Sequence, residues 1–389
     1  MNHNLLLSEI QSFIRSYEGE LSDLAFKGSP FEDVTVQELM QQVDGFRRTK
    51  KKLPLWHKTR GIYYPPKLNL EQSSSEATGK YKAGLVGGKS LLDITGGFGV
   101  DSFYFSDSFE EVIYVEQHKN LYNIVTHNFR CLGKETIHSL NDDGLTLLNG
   151  KSYDVIYADP GRRDKTNGKV FMLSQCEPNV LLHLDQILTH CDKFLLKTSP
   201  MLDISRGILE LKFVHQVHVV AIENEVKELL WILQNKPSEK IVIRTINMKG
   251  ASNQHFDFEY VKSSPINFGA PQNFLYEPNA AIMKSGGYLH ISEQFGLWKL
   301  HVNSHLFTGN DLIEFPGRRF LINQVFPYQK SILKDRVFKR QAHVSTRNFP
   351  LSVRELRSRW KIGDGGERYL FFTLDKDDKK IVLDCSRKI

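Results

Sequence analysis

The chain is poor in cysteine: Cys131, Cys176, Cys191 and Cys385 are the only four in 389 residues, and no two are spaced as CxxC. Such usage excludes a disulfide-stapled scaffold and predicts reduced thiols. Metal-site patterns are scarce too. No H-E-x-x-H occurs, and His183 and His190, flanked by Cys176 and Cys191, would lie two turns apart on a helix with no second pair nearby. No apolar run approaches the length that spans a bilayer. The frame Gly87-Gly88-Lys89-Ser90 is not a Walker A loop, because it lacks the upstream glycine and precedes an apolar strand rather than a helix. Internal repeats and long low-complexity tracts are missing. The opening Met1-Asn2-His3-Asn4 has no basic region, and Leu5-Leu6-Leu7 is soon followed by Glu9. No secretory signal is expected there, and a cytoplasmic location is.

What is present is ordinary in bulk: 40% hydrophobic and 25% charged residues, the balance of a globular protein long enough for two or three domains. The net charge of +6 is modest, but it is concentrated. Between Lys334 and Lys361 stand Lys334, Arg336, Lys339, Arg340, Arg347, Arg354, Arg357, Arg359 and Lys361 against only Asp335 and Glu355. This is a local basic patch of the kind that meets phosphates, and a solvated helix face is the competing reading. Arg347, Arg354 and Arg357 are the candidate phosphate contacts within it.

Three regions are expected. Residues 1–84 read as a helical N-terminal lobe, with apolar residues at helical spacing in Ser8–Tyr17 and in Thr35–Phe46. The lobe ends in a basic and aromatic segment, Lys50-Lys51-Lys52 to Tyr63-Tyr64-Pro65-Pro66, where the prolines forbid a helix. Ser73 with Glu76 reads as a capping box. Residues 85–250 alternate apolar strands (89–94, 111–116, 135–139, 153–159, 192–199, 213–222, 240–248) with helices (99–107, 118–132, 143–149, 178–190, 202–210, 225–234). Alternation of that kind predicts an α/β fold: a Rossmann-like, doubly wound, mostly parallel seven-stranded sheet. Residues 260–389 read as a smaller α+β region with a further division near 310. Its clearest helix, 352–360, opens with Ser352 and Glu355 at capping-box spacing.

Three strand tips carry the chemistry. The first is Asp93-Ile94-Thr95-Gly96-Gly97-Phe98-Gly99, where an acid closes an apolar run and glycines let the backbone approach a ligand ahead of a helix N-terminus. A dinucleotide fingerprint is the rival, but Gly97-x-Gly99-x-x-Ser102 lacks its last small residue. Asp93 would also repel a pyrophosphate, whereas it suits a cofactor with a positive aminoacyl end. That charge argument favours S-adenosylmethionine (SAM), with Asp93, Thr95, Gly97 and Gly99 around it. The second tip is Glu116, placed to accept both ribose hydroxyls. Asp143, after the third strand, is the candidate partner of the adenine amino group, and N-capping would also explain it. The third tip is Ala158-Asp159-Pro160-Gly161-Arg162-Arg163. There Asp159 can accept a hydrogen bond from an amino nucleophile or take its proton, and Pro160 fixes the backbone. Arg162 and Arg163 can fork onto a phosphate or carboxylate. In an open α/β sheet such tips converge on one crevice.

These motifs together resemble the class I SAM-dependent methyltransferases over roughly residues 85–250. The layout is also similar to a bacterial group of uncharacterised methyltransferase-like proteins with a THUMP-like C-terminal domain. Thr346-Arg347-Asn348-Phe349-Pro350-Leu351, Glu355-Leu356 and Gly365-Gly366 carry that second likeness. THUMP domains bind RNA in several modification enzymes, so the resemblance implies a base in tRNA or rRNA as substrate.

The departures narrow the chemistry. Methyltransferases acting on exocyclic amino groups usually follow their acid and proline with a second proline and an aromatic residue, where Gly161 and Arg162 stand here. Tyr63, Tyr64 or Phe171 could supply the ring that stacks on a flipped base. The D-P-x-R order resembles the C5-methyluridine enzymes, but those need a cysteine where Lys197-Thr198-Ser199-Pro200 stands, and Cys191 lies at the wrong end of that strand. Methylation of an amino nitrogen by direct displacement is the expectation. The alternatives are a non-catalytic RNA-binding protein with a relic cofactor fold, and an NAD-dependent oxidoreductase.

Overall fold

The computed structural model describes residues 1–162, 172–250, 252–260 and 266–387, with Arg162 described in its backbone alone. The chain divides into two units, 1–215 with 230–238 and 216–229 with 239–389.

The first unit begins with helices α1 (Ser8–Ser16), α2 (Leu21–Lys27), α3 (Val36–Lys52), α4 (Pro54–Lys58), α5 (Lys67–Gln72) and α6 (Glu76–Ala83). Thr35 and Glu38 cap α3 reciprocally. The capping box at α6 lies two residues later than the sequence suggested: Ser75 and Thr78 form it, while Glu76 instead accepts from the Leu55 amide and from Lys80.

There follow β1 (Gly88–Asp93), α7 (Val100–Phe105), β2 (Phe109–Val115), α8 (Lys119–Cys131), β3 (His138–Leu140), β4 (Tyr153–Ala158), the short β5 (Gly161–Arg162) and β6 (Cys176–Glu177), then α9 (Leu184–Thr189), β7 (Cys191–Thr198) and α10 (Ile204–Leu211). Next come β8 (Val214–Ile222) and β9 (Glu225–Leu233), whose residues are divided between the units. In the first unit the strand order is β3-β2-β1-β4-β7, then the shared β9. The pairs β3–β2, β2–β1, β1–β4 and β4–β7 are all parallel. Parallel strands covered on both faces should be apolar throughout, as Leu91, Leu92, Val155, Ile156, Phe194, Leu195 and Leu196 are, at 0–1% exposure.

One element departs in type from its expectation. Glu225–Leu233 is a strand, not a helix. Its last six residues are all buried, so it has no polar face for a surface helix to turn outward. The preceding Glu223 and Asn224 both have positive φ, which a two-residue hairpin turn demands. Trp231 donates from Nε1 to Thr198 Oγ1 on β7 at 2.9 Å, and its indole covers Gly207 of α10.

In the second unit β8 continues into an order β9-β8-β10-β11, with β10 (Val242–Lys249) parallel to β8 and β11 (Ser252–Glu259) antiparallel to β10. Nine strands thus stand where seven were expected, because Glu225–Leu233 and Ser252–Glu259 each add one. The unit then runs through β12 (Phe274–Pro278), α11 (Ala280–Ser285), α12 (Ile291–Phe295), β13 (Trp298–Lys299), β14 (Phe307–Gly309), β15 (Gly317–Pro327), α13 (Lys330–Arg336), β16 (His343–Arg347), α14 (Val353–Trp360), β17 (Arg368–Leu374) and β18 (Lys380–Ser386). Its second sheet has the order β13-β14-β12-β15-β18-β17-β16. Ser352 and Glu355 form the expected capping box on α14. Leu333, Val337, Leu356, Trp360, Leu370 and Val382 pack α13 and α14 onto this sheet.

Candidate active site

Strand register brings the three acidic tips together. Asp93 on β1 pairs level with Tyr114 on β2 and Tyr157 on β4, so Glu116 and Asp159 each lie two residues beyond that level. The turn after Asp93 then bonds to both neighbours. Glu116 Oε2 accepts from the Gly97 amide at 3.0 Å, and Thr95 Oγ1 accepts from the Asp159 amide at 2.6 Å. A second tie runs from Tyr114 Oη to the Gly97 carbonyl at 2.8 Å.

Glycine is required at two of these positions. Gly99 caps α7 at φ +74°, and a Cβ there would sit 2.6 Å from Val125 Cγ1. At Gly96 a Cβ would lie 2.2 Å from the Tyr114 ring. The turn therefore packs flush on β2, with the Gly96 amide given to the Val115 carbonyl and the Gly97 amide to Glu116.

The acids differ in environment. Asp93 is 1% exposed; its oxygens accept from the Thr95 amide at 3.0 Å and from Ser102 Oγ at 2.5 Å. Both oxygens are thus used within the protein, which leaves Asp93 only its field and its loop to offer a ligand. Burial pushes its carboxyl up to about 7, against the two hydrogen bonds and with help from Asp101 and Asp159. Glu116 is buried at 8% and accepts from the Gly97 and His118 amides, yet burial still raises it above the usual carboxylate range. A carboxylate in that condition gains from further donors, as a ribose diol offers. Asp143 caps the turn Gly144–Leu148 by accepting from the Leu145 amide at 3.0 Å. Gly144 lies against the Ile94 backbone, which brings the segment after β3 beside the first turn.

Asp159 is about a third exposed and pairs through Oδ2 with Lys197 near the end of β7. Behind this pair lies a charge chain. Asp101 on α7 accepts from Tyr157 Oη at 2.7 Å and Ser74 Oγ at 2.8 Å, and Lys82, itself fully buried, stands 3.2 Å away. Burial pushes Asp101 up, but Lys82 and Lys197 with the two hydroxyl donors outweigh it and hold the carboxyl below its usual range. Sequence reasoning did not single out Lys82, Asp101 or Lys197 as functional. The usable signal was a lysine closing the apolar run Phe194-Leu195-Leu196.

Other expected contacts are not brought to this cluster. Tyr63 and Tyr64 are 5% and 3% exposed. The Tyr63 backbone exchanges hydrogen bonds with Asn128, and the Tyr64 ring packs on Gly45 of α3, so neither ring has an open face for a base. The Arg162 side chain, Arg163 and Phe171 lie outside the described residues. In the second unit Arg347 is held, with Arg318, by the buried carboxylate of Glu277. Arg357 bonds Asp364 and the Ala342 carbonyl. Both are engaged in ion pairs within the unit, whereas Arg354 is exposed. Burial pushes the Cys191 thiol up to about 12, which fits an inert core residue and not a nucleophile.

A turn that ties three parallel strand tips, with the buried Glu116 on one side and the partly exposed Asp159 on the other, stands at the carboxyl ends of a doubly wound α/β sheet, where ligands of this fold class bind. Comparison with solved structures gives a full-length match to a "putative methyltransferase" from Porphyromonas gingivalis W83: 31% identity, 100% of each chain covered, TM-score 0.89. The chain belongs to the family of that protein, methyltransferase-fold chains with a THUMP-like domain at the C-terminal end. Residues 274–316 match a ferredoxin-like domain family and residues 317–387 a THUMP domain-like family. A "putative RNA methyltransferase" from Pyrococcus horikoshii aligns at 20% identity over 48% of this chain and 96% of its own, with TM-score 0.34. A "putative class I S-adenosylmethionine-dependent methyltransferase" from Listeria monocytogenes aligns at 15% over 62% and 86%, with TM-score 0.37. Those two likenesses carry no argument. No curated protein matches the chain.

Proposed function

We propose that the chain transfers a methyl group from SAM to an exocyclic amino nitrogen of a base in structured RNA, tRNA or rRNA. The observation that carries the reading is the convergence of Glu116 and Asp159 on one turn, through the Gly97 amide and the Thr95 hydroxyl. Glu116 is the ribose acid. Asp143 stands on the adenine side, with Oδ1 given to its cap. Asp93 and the glycine turn set a negative field where the cofactor carries its positive aminoacyl end. Bound SAM supplies an electrophilic methyl group; the protein supplies alignment of the acceptor and a place for its proton.

Asp159 does the second task. Lys197 takes Oδ2, and Oδ1 has no hydrogen-bond partner among the described residues, so it is open to the N–H of an amino acceptor. Lys197 is a positioning residue that fixes the carboxylate in the plane the acceptor needs. The THUMP-like match at 317–387 supports RNA as the acceptor molecule.

The test is nucleoside mass spectrometry of RNA incubated with SAM and the purified chain or its Asp159→Asn variant. The expected result is a new methylated base whose rate of formation falls roughly a hundredfold or more in the variant. An undiminished rate in Asp159→Asn would remove Asp159 from the mechanism, and a methylated ribose or protein would overturn the choice of acceptor.

A further inference from the structure

The THUMP-like segment holds a cavity of 530 Å³ lined by Tyr328, Lys330, Lys334, Phe338, Arg359 and Trp360. Its aromatic part is rigid. Trp360, 8% exposed, donates from Nε1 to Tyr328 Oη at 3.3 Å, and Tyr328 is braced edge-on by Phe349 at 5.1 Å and Phe372 at 6.1 Å. Phe338 is half-buried, with Lys339 and Lys361 near its ring.

The rim is cationic. Lys330 and Lys334 lie one turn apart on α13, so they share a face, and Arg359 comes from α14. All three are exposed. Nearby Arg357 and Arg368 are each paired with an aspartate, but no ion pair holds Lys330, Lys334 or Arg359 among the described residues, and no acid lines the cavity. Three like charges around an aromatic floor repel one another until an anion joins them. On the far side of α13, Arg336 and Arg340 line a second hollow with Gln324, Asp335 and Arg368, which extends the positive surface past the first.

A ligand for this place must bring negative charge and a flat π face at once. We propose that the cavity takes one unstacked nucleotide of single-stranded RNA. Its base lies against Phe338, Tyr328 and Trp360, and its phosphates meet Lys330, Lys334 and Arg359, with the strand continuing toward Arg336 and Arg340. As RNA is the proposed methyl acceptor, the assignment rests on that reading and adds a grip on single-stranded RNA carried by the second unit.

The experiment is a fluorescence-anisotropy titration of the full chain with a labelled short single-stranded oligoribonucleotide and with its duplex, over a range of salt. The single strand is expected to bind more tightly than the duplex, with adenosine 5′-monophosphate competing better than inorganic phosphate. Phe338→Ala should weaken single-strand binding roughly tenfold with an unchanged salt slope. The exposed pair Lys330→Ala/Lys334→Ala should lower the magnitude of that slope by about 1.4, the share of two phosphate contacts on a single strand. Duplex binding as tight as single-strand binding, or a lysine double variant with the parent slope, would overturn the proposal. Calorimetry with SAM on the same preparations separates the two readings. Normal SAM binding with no effect of the pocket variants removes this site alone. Pocket-dependent RNA binding without SAM binding removes the methyltransferase reading alone.

Discussion

Asp93 holds its proton unusually tightly because it is buried, and that has a sign. Its folded value of about 7 lies above the reference value of 3.8. The stability this contributes is full below the lower value and is lost as pH rises toward the upper one. Thermal unfolding followed from pH 4 to pH 8 should therefore show a decline across that window that Asp93→Asn abolishes; an unaltered decline in the variant would assign the effect elsewhere. A cationic cofactor pulls the same carboxyl down again. SAM binding near pH 7 should release protons, read as a difference in calorimetric heat between buffers of unlike ionisation enthalpy. Lys197 offers a second residue-scale expectation. Lys197→Met should lower kcat roughly a hundredfold and leave SAM affinity intact, with partial rescue by Lys197→Arg. A loss confined to SAM affinity would contradict its role beside Asp159. The strand-end placement of Asp93, Glu116 and Asp159 was legible because each closes an apolar run. Lys82, Asp101 and Lys197 were not, since their meaning is a pairing between α6, α7 and β7 that only the fold creates. Tyr63 and Tyr64 misled because an irregular Pro-Pro segment suggests an open surface, whereas Asn128 holds the Tyr63 backbone, the Tyr64 ring packs on Gly45, and both residues are buried.

Elements were readable where one period dominated. Strands β1, β2, β4 and β7 stand out as short apolar runs, whereas β3, His-Ser-Leu, does not. Glu225–Leu233 was not readable, because a run of nine residues ending in Leu-Leu-Trp-Ile-Leu fits a buried helix or a buried strand equally well by periodicity. The positive-φ pair Glu223 and Asn224 decides it, and a Glu-Asn turn is a weak hairpin signal. The glycine turn gives a direct test at this scale. Gly96→Ala forces a Cβ to 2.2 Å from Tyr114 and 2.7 Å from the Val115 carbonyl, so the turn must lift off β2. Urea unfolding should find it destabilised by about 1–3 kcal/mol with SAM affinity reduced. Gly161→Ala, where a Cβ would meet nothing within 4 Å, serves as the stability control. Equal stability of the two variants would mean the turn does not pack as described.

At the scale of the molecule, the two proposed tasks fall to different parts of the chain. The strand-tip acids Asp93, Glu116, Asp143 and Asp159 belong to the first unit, and the basic run 334–361 belongs to the second. Charge counting along the sequence found that run but could not tell spent arginines from open ones: Arg347 and Arg357 are consumed by Glu277 and Asp364, while Lys334 and Arg359 face a cavity. Methyl transfer by this chain requires that the turn between Asp93 and Gly99 and the Glu116 carboxylate hold SAM. Isothermal titration of the full chain with SAM, beside Glu116→Ala, measures that binding most directly. The account predicts saturable one-to-one binding that weakens roughly a hundredfold in the variant, the loss of two hydrogen bonds to a charged acceptor. No saturable heat with the unaltered chain, or equal affinity in Glu116→Ala, would contradict it.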